Sequence, residues 1–172
     1  MSAEVDEELH AFVSGRYAHL RRTAYLLCGD WHRAEDLVQT ALARVVEAAR
    51  RRRIENMDAY SRTALTRVFL DDSRRLWRRR ERPPGEGGDP AAISTDPDTA
   101  MAVLAALRKL PPRQRATVVL RHWEDRSIEE TATALGTSIP TVKSQTAKAL
   151  ASLRESLADL NPVLTRNDGG TR

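Results

Sequence analysis

The clearest hydrophobic pattern in the chain is a pair of short amphipathic segments joined by a glycine turn, between residues 127 and 154. At 100° per residue, the second segment has an apolar side formed by Ile139, Val142, Ala149, Leu150 and Leu153. The opposite side is polar and basic, with Thr141, Ser144 and Lys148. The pattern predicts a helix-turn-helix, which fits the major groove of B-DNA, although such helix pairs also occur in domains that never contact DNA.

Local residues support this turn. Gly136 allows the positive φ of a tight turn, Ser138 is predicted to cap the second helix, and Pro140 fits its first turn. Thr146 lies on the apolar side and weakens the pattern slightly, but a buried Thr can bond the carbonyl four residues earlier and is tolerated there.

Apolar residues at three- and four-residue spacing predict helices over most of the remaining chain. We expect them at 7–28, with Gly15 as a candidate break, at 31–49, and at 57–80 with Asn56 as N-cap and Trp77 among the apolar positions. Two more are predicted at 100–110 and from Pro112 to Trp123, with Trp123 as a core anchor of its small domain. No strand pattern is visible, so the predicted class is all-α.

A proline- and glycine-rich stretch, RPPGEGGDPAAISTDPDT, divides these helices at residues 82–99. It has little to bury, and its glycines neither follow a strand nor open a helix, which excludes a nucleotide-binding loop. We therefore predict two small helical domains, 7–82 and 100–160, joined by a flexible linker at 83–99. A disordered tail is expected at 161–172.

The arginine clusters say more about the binding partner than the net charge of +4 does. Four arginines occupy 50–53, and six of the nine residues from 74 to 82 are arginine. The C-terminal end of a helix favours cations, so a solvated helix C-terminus explains part of this clustering. The density favours an anionic partner, and nucleic acid suits it better than a membrane surface, because no amphipathic helix carries a large exposed aromatic face.

The sequence contains none of the common catalytic or metal-binding motifs. Cys28 lies in an apolar run and is interpreted as a core residue, while His10, His19, His32 and His122 lack ligand spacing. We expect no catalytic residues, no metal, no cofactor and no small-molecule substrate. The acidic start MSAEVDEELH and the lack of a long apolar run predict a cytoplasmic protein without direct membrane insertion.

The order of these elements resembles the extracytoplasmic-function (ECF) sigma factors of bacterial RNA polymerase. The residues that carry the resemblance are an AEDLVQ helix (34–39), an arginine-rich long helix, a Pro/Gly linker, a LRKLPPRQRATVVLRHWED block (107–125) and the helix-turn-helix. Segments such as HRAEDLVQTALAR and NMDAYSRTAL are similar to actinobacterial members. The resemblance implies a promoter-specificity subunit composed of sigma regions 2 and 4, without enzymatic activity.

The resemblance also implies which residues bind which partner. Asp36 and Gln39 would dock on the clamp helices of the polymerase largest subunit, and the second domain would meet the flap region. The minus-ten element would be opened and bound by Asn56, Tyr60, Arg62, Arg67, Arg74 and Arg75. The minus-thirty-five element would be bound by Thr141, Lys143, Ser144, Gln145 and Lys148. An anti-sigma factor is expected as a further partner.

Several positions depart from the family pattern. Gln145 stands where arginine is common, and because Arg usually reads guanine and Gln adenine, the upstream element is expected to differ. Arg67 stands where Asn is frequent, and Asp71 and Asp72 place acids on a surface meant for DNA. Two rival functions stay open: a free-standing helix-turn-helix regulator, and an enzyme or chaperone that uses the arginines non-specifically.

Overall fold

The computed structural model describes residues 3–79 and 96–160, which are helical with short connections and contain no strand. The first half has three helices: α1 (Ala3–Cys28), α2 (Trp31–Arg51) and α3 (Met57–Arg79). The second half has α4 (Pro97–Lys109), α5 (Pro112–Val118), a π-helical turn (Val119–Trp123), α6 (Ile128–Leu135) and α7 (Ile139–Leu160). The all-α prediction is confirmed. The predicted linker up to residue 95 and the predicted tail lie outside the described residues.

Local signals place the helix boundaries of the first half. Gly29 takes a positive φ of 74° after α1, and the Asp30 side chain accepts a hydrogen bond from Arg33 N at 2.8 Å to cap α2. Asn56 caps α3 as predicted, accepting from Ala59 N at 2.9 Å. The candidate break at Gly15 is wrong: α1 continues through it, because its flanking apolar residues bury one face on both sides of the glycine.

The first half is held together by the apolar stripe of α2 packed between α1 and α3. Along that stripe Ala34, Val38 and Val45 are fully buried, and Phe69 of α3 fills the space opposite. An ion pair between Arg33 Nη2 and Asp72 Oδ2, 2.7 Å apart, joins α2 to α3 at the edge of this core. The polar side of α2 is therefore left outward.

The first helix of the second half begins earlier than predicted. Asp96 caps α4, so helix starts at Pro97 rather than at residue 100. In the helix-turn-helix, Gly136 has φ 63° and Ser138 Oγ accepts from Thr141 N at 3.3 Å, as the sequence predicts. Thr146 bonds the Val142 carbonyl at 2.7 Å, also as predicted.

The two halves pack against each other and share one continuous apolar core. Helix α1 contacts α4, α5 and the π-helical turn, and α3 contacts α5 and α6. Trp123 consequently does more than anchor its own domain, since its indole N–H donates to Thr23 of α1 at 3.1 Å.

Three apolar residues are more exposed than the sequence pattern predicts. Trp77, counted among the apolar helix positions, is 82% exposed, and Met101 of α4 is 58% exposed. Ile139 is 39% exposed at the start of α7. The apolar side of this helix is fully buried only later, at Val142 and Ala149.

Candidate polymerase and nucleic-acid interfaces

The polar face of α2 is open to a partner. Asp36 and Gln39 are both exposed, as the periodicity predicts, while the neighbouring Leu37 and Val38 are buried. Asp36 lines a groove of about 620 Å³ between α2 and α3, whose floor includes Leu37 and Val68. A carboxylate beside an apolar groove offers both charge and contact area to a second protein.

The connection between α2 and α3 places arginine next to an aromatic ring. The guanidinium carbon of Arg52 lies 5.6 Å from the centre of the Tyr60 ring, in cation–π geometry. Asn56 is exposed and Tyr60 half-buried. Stacking surfaces and cations of this kind suit an unstacked nucleic-acid base.

Arg62 is the predicted site residue whose surroundings differ most from expectation. It is 6% exposed, bonded to Asp58, and lies where α6 packs on α3. With Arg126 and Glu130 it lines a small cavity of about 150 Å³. The periodicity of α3 does not predict that Arg62 is buried, because the burial depends on packing against α6 of the second half. Arg67, one turn further, is exposed.

The acids at the end of α3 are paired with arginines. Asp71 bonds Arg74 at 2.5 Å, and Asp72 bonds Arg75 and Arg33 at 2.8 Å each. Burial alone would raise the pKa of Asp72, but the hydrogen bonds from Arg75 and Arg33 outweigh it and hold the pKa below its ordinary value. Arg74 and Arg75 remain exposed, so their charges still face outward.

Helix α7 presents most of its predicted contact residues at the surface. Lys143, Ser144 and Lys148 are exposed, and Thr141 is half-buried with its hydroxyl 2.9 Å from that of Ser138. Gln145 differs: its Oε1 is inaccessible and has no hydrogen-bond partner among the described residues. Gln145 instead lines a groove of about 710 Å³ between α7, α5 and the end of α3.

Cys28, which is buried, and Arg115, which is half-buried, lie near the junction of the halves and have shifted pKa values. Burial raises the pKa of the Cys28 thiol to about 11 and lowers that of Arg115 to about 10. Arg115 donates to the carbonyls of Leu27, Leu107, Arg108 and Leu110. Its charge therefore sits at the carbonyl ends of α1 and α4, where the helix dipoles favour a cation. The sequence does not predict this role of Arg115 in capping α1, because the Leu27 carbonyl is distant from Arg115 in the chain.

No cluster of three or more potential metal ligands exists among residues 3–79 and 96–160. Within the same ranges, no helix is long and apolar enough to cross a bilayer.

Comparison with known proteins identifies both halves. Residues 12–79 match the family Sigma-70 region 2, and residues 100–153 match Sigma-70, region 4. The chain is 42% identical over 158 residues to the RNA polymerase sigma-E factor of Streptomyces coelicolor, covering 87% of this chain and 86% of that protein. It is also 33% identical over 168 residues to the ECF RNA polymerase sigma factor SigM of Mycobacterium tuberculosis, covering 94% and 84%.

The chain belongs to the ECF sigma factors. A solved structure supports the fold of this sigma factor over both halves. The sigma factor RpoE of Bartonella quintana, in complex with the anti-sigma factor NepR, matches with a TM-score of 0.73 and 24% identity, covering 88% of this chain and 97% of that one.

Membership of the family establishes the function at the level of class. This sigma factor directs promoter-specific initiation of transcription by RNA polymerase. Its relatives are transcription factors rather than enzymes.

Proposed function

We propose that the exposed face of α2, centred on Asp36 and Gln39, docks on the clamp helices of the polymerase largest subunit. The observation that supports it is the pairing of exposed polar side chains with a groove floored by Leu37 and Val68. Protein interfaces combine an apolar centre with a polar rim in this way. The second half meets the flap region, and the protein acts in the cytoplasm, where polymerase is found.

The first half opens and holds the minus-ten element. Asn56 and Tyr60 form the edge of a base-binding site, with Arg52 close to the ring, and Arg67, Arg74 and Arg75 provide an exposed cationic track along α3. Extruding a base costs a few kcal/mol of stacking, which ring contact and phosphate contact on such a track offset. Arg62 joins this surface only when α6 moves away from α3.

The second half binds the minus-thirty-five element through α7. A capped helix that follows a glycine turn and presents Lys143, Ser144 and Lys148 outward is suited to the major groove. Lysines contribute phosphate contacts, while Thr141, Ser144 and Gln145 reach base edges. Gln145 lies in a groove between the halves, so its use also requires the halves to separate.

An anti-sigma factor is a further proposed partner. A related sigma factor has been crystallised with one, and that protein shares the fold of both halves of this chain. The exposed, arginine-lined groove between α3 and α5 gives such a partner a surface that spans the two halves. Catalysis of a reaction by this chain itself is not part of the proposed function, and no cofactor is needed.

Transcription in vitro tests the proposal as a whole. Purified protein and sigma-free core polymerase from a related actinobacterium are mixed with pooled genomic promoters, and transcript starts are sequenced. Discrete new starts that share upstream and downstream motifs are expected. An absence of starts, with tight binding of a specific duplex by the protein alone, would favour a free-standing regulator instead. Salt-sensitive binding without sequence preference would favour a non-specific nucleic-acid protein.

A further inference from the structure

Trp77, near the end of α3, has an almost fully exposed ring. Of the three tryptophans, Trp31 stacks on Tyr25 at a centroid distance of 3.9 Å, and Trp123 stacks with His19 at 6.4 Å. Trp77 is 82% exposed, and in the described part of the chain neither a ring nor a guanidinium stacks on it. Its large apolar surface faces water, and a partner that covers this surface is favoured. Trp77 therefore contributes little to the packing of the fold and is open to binding.

Two exposed arginines flank the Trp77 ring on the same helix. Arg74 lies three residues before Trp77 and Arg78 directly after it, and all three residues line the groove between α3 and α5. Residues three apart are neighbours on a helix surface, so Arg74 lies on the same side of α3 as the ring. Arg74 donates to Asp71 at 2.5 Å, yet its side chain is 64% exposed. An aromatic surface beside two cations suits a flat ligand that has negative charge next to its flat part.

The ring lies at the far end of the proposed minus-ten surface. At 1.5 Å per residue, Trp77 is about 25 Å from Tyr60 along α3. At 100° per residue, the exposed Arg67, Arg74 and Arg78 all lie within about 40° of the direction of Tyr60. Trp77 is turned by about 60° from Arg74, to one side of this row. A strand whose phosphates follow the arginines from Tyr60 therefore passes Trp77 with its bases within reach of the ring.

We propose that Trp77 is a second base-stacking site of this sigma factor, which takes an unpaired base of the opened promoter strand while Arg74 and Arg78 bind the phosphates beside it. The inference rests on the proposed function, because it continues the strand that begins at Tyr60. Every base has a π-face, so a stacking site accepts any base and holds the strand without reading its sequence. Base recognition near Asn56 and Tyr60 and sequence-independent holding at Trp77 then act on the same strand.

The charge around the ring favours a strand over a protein partner. Arg67, Arg74 and Arg78 extend one row of cations along α3, which matches a polymer with a phosphate at every repeat. The acid in this row, Asp71, is already bonded to Arg74 and leaves that arginine exposed. Trp77 and the three arginines are exposed in this arrangement of the chain, so the strand reaches them without any rearrangement of α3.

Variants of the ring itself form the first arm of the test. Trp77→Ala removes the ring, Trp77→Leu keeps an apolar side chain without a π-face, and Trp77→Phe keeps a smaller ring. Met101→Ala removes another exposed apolar side chain, from α4, and is the control. The probe is a fluorescent single strand with the non-template sequence around the minus-ten element of a mapped start, bound by the polymerase holoenzyme. Trp77→Ala and Trp77→Leu are expected to lose about tenfold in affinity, and Trp77→Phe and Met101→Ala less than about threefold.

Abasic nucleotides locate the base that stacks on Trp77. An abasic site replaces one base at a time along the probe and leaves every phosphate in place. At one position beyond the base bound near Tyr60, the abasic strand should bind wild type about tenfold more weakly than the intact strand does. Trp77→Ala should bind these two strands equally, because the missing base and the missing ring are partners in one contact.

Salt dependence separates stacking from charge. Trp77→Ala should leave the slope of log affinity against log salt unchanged, because the variant loses no phosphate contact. Arg78→Ala, one residue further along α3, should reduce that slope by about 0.7, the value for one phosphate of a single strand. Both slopes are measured with the same probe and holoenzyme.

The outcomes separate the stacking site from the function. Equal strand affinity in wild type and Trp77→Ala, full affinity in Trp77→Leu, or equal effects of every abasic site on wild type and Trp77→Ala overturns the stacking site and leaves the sigma-factor assignment in place. Weaker binding of core polymerase by Trp77→Ala, with unchanged strand binding, overturns it in favour of a protein partner. Failure of wild type to initiate transcription overturns the proposed function. In that event the free chain and an oligothymidylate strand still decide whether Trp77 stacks on a base.

Discussion

Arg108 donates a hydrogen bond to the backbone carbonyl of Gly29, and this contact joins α4 of the second half to the end of α1 in the first. The guanidinium passes so close to Gly29 that a Cβ there would clash with it, with Arg108 Nη2 only 2.9 Å away. Gly29 also has a φ of 74°, which L side chains rarely adopt. The φ of Gly29 therefore disfavours any other residue here, and a Cβ would also require the flexible end of the Arg108 side chain to move.

Substitution of two glycines by alanine should have opposite effects. Gly29→Ala is expected to lower the free energy of unfolding by about 1–3 kcal/mol, because it combines left-handed strain with the clash at Arg108. Gly15→Ala should raise it by about 0.5–1 kcal/mol, since Gly15 lies within α1 with open space around it. Urea denaturation of the two variants and wild type checks both signs. A neutral Gly29→Ala would contradict the left-handed conformation of Gly29.

The pairing of Asp72 with Arg33 and Arg75 predicts a pH-dependent stability difference. Because the folded-state pKa of Asp72 is lowered, the ionised carboxylate stabilises the fold above its ordinary pKa of about 3.9, and this is lost as pH falls through the folded value. Asp72→Asn should therefore be less stable than wild type at pH 7, by roughly 1 kcal/mol for a partly exposed pair. The gap should close below the folded pKa.

The measurement for Asp72 is urea denaturation at a series of pH values. Asp98→Asn, which alters an exposed acid in the first turn of α4, serves as the control and should show a smaller difference from wild type at pH 7. A gap between Asp72→Asn and wild type that stays constant down to pH 3 would mean that the ion pair is not its source.

Charge reversal at Asp36 should weaken polymerase binding. Asp36→Arg changes the centre of the exposed face of α2 without disturbing the buried stripe, so helix content should be unchanged. We expect at least a tenfold loss of affinity for core polymerase, because a long cationic side chain replaces a carboxylate at the centre of the proposed interface. Glu7→Arg, on the exposed N-terminal part of α1, makes the same change away from this face. An equal loss of affinity in both variants, or no loss in either, would refute the docking assignment.

Removal of a single lysine from α7 should change the salt dependence of DNA binding. Lys148→Ala is expected to weaken binding to the minus-thirty-five element and to reduce the slope of log affinity against log salt by about one unit, as one phosphate contact is lost. Lys109→Ala removes the same charge from an exposed position at the end of α4 and should leave the slope unchanged. Fluorescence anisotropy at several salt concentrations gives both slopes. An unaltered slope for Lys148→Ala places that lysine outside the interface.

The features that the sequence predicts correctly depend on neighbouring residues. The Asn56 cap, the left-handed Gly136 and the Thr146 back-bond each need only three or four residues of chain, and all three are present. The exposed face of α2 follows from periodicity in the same way, because the helix buries one continuous stripe.

The features that the sequence does not predict depend on contacts between distant segments. The burial of Arg62 requires α6, and the hydrogen bond of Trp123 requires Thr23, one hundred residues away in the chain. Asp71 and Asp72 look unfavourable beside DNA until their pairing with arginines is visible. Amphipathic spacing records that a residue is apolar or polar, but it does not identify its partner.

The π-helical turn at Val119–Trp123 makes this part of the chain sensitive to insertion or deletion of a residue. A π-turn holds one residue more than an α-helical turn, and each residue adds about 100° of rotation along a helix. Glu124, which follows this turn, accepts a hydrogen bond from Thr23 Oγ1 at 2.5 Å. Deletion of a single residue from the turn would restore α-helical winding and rotate Glu124 to a different side, away from Thr23. Among descendants of this chain, a one-residue deletion here is therefore expected to accompany the loss of Thr23 or His19, while substitutions within Val119–Trp123 that keep the length leave Glu124 beside both residues.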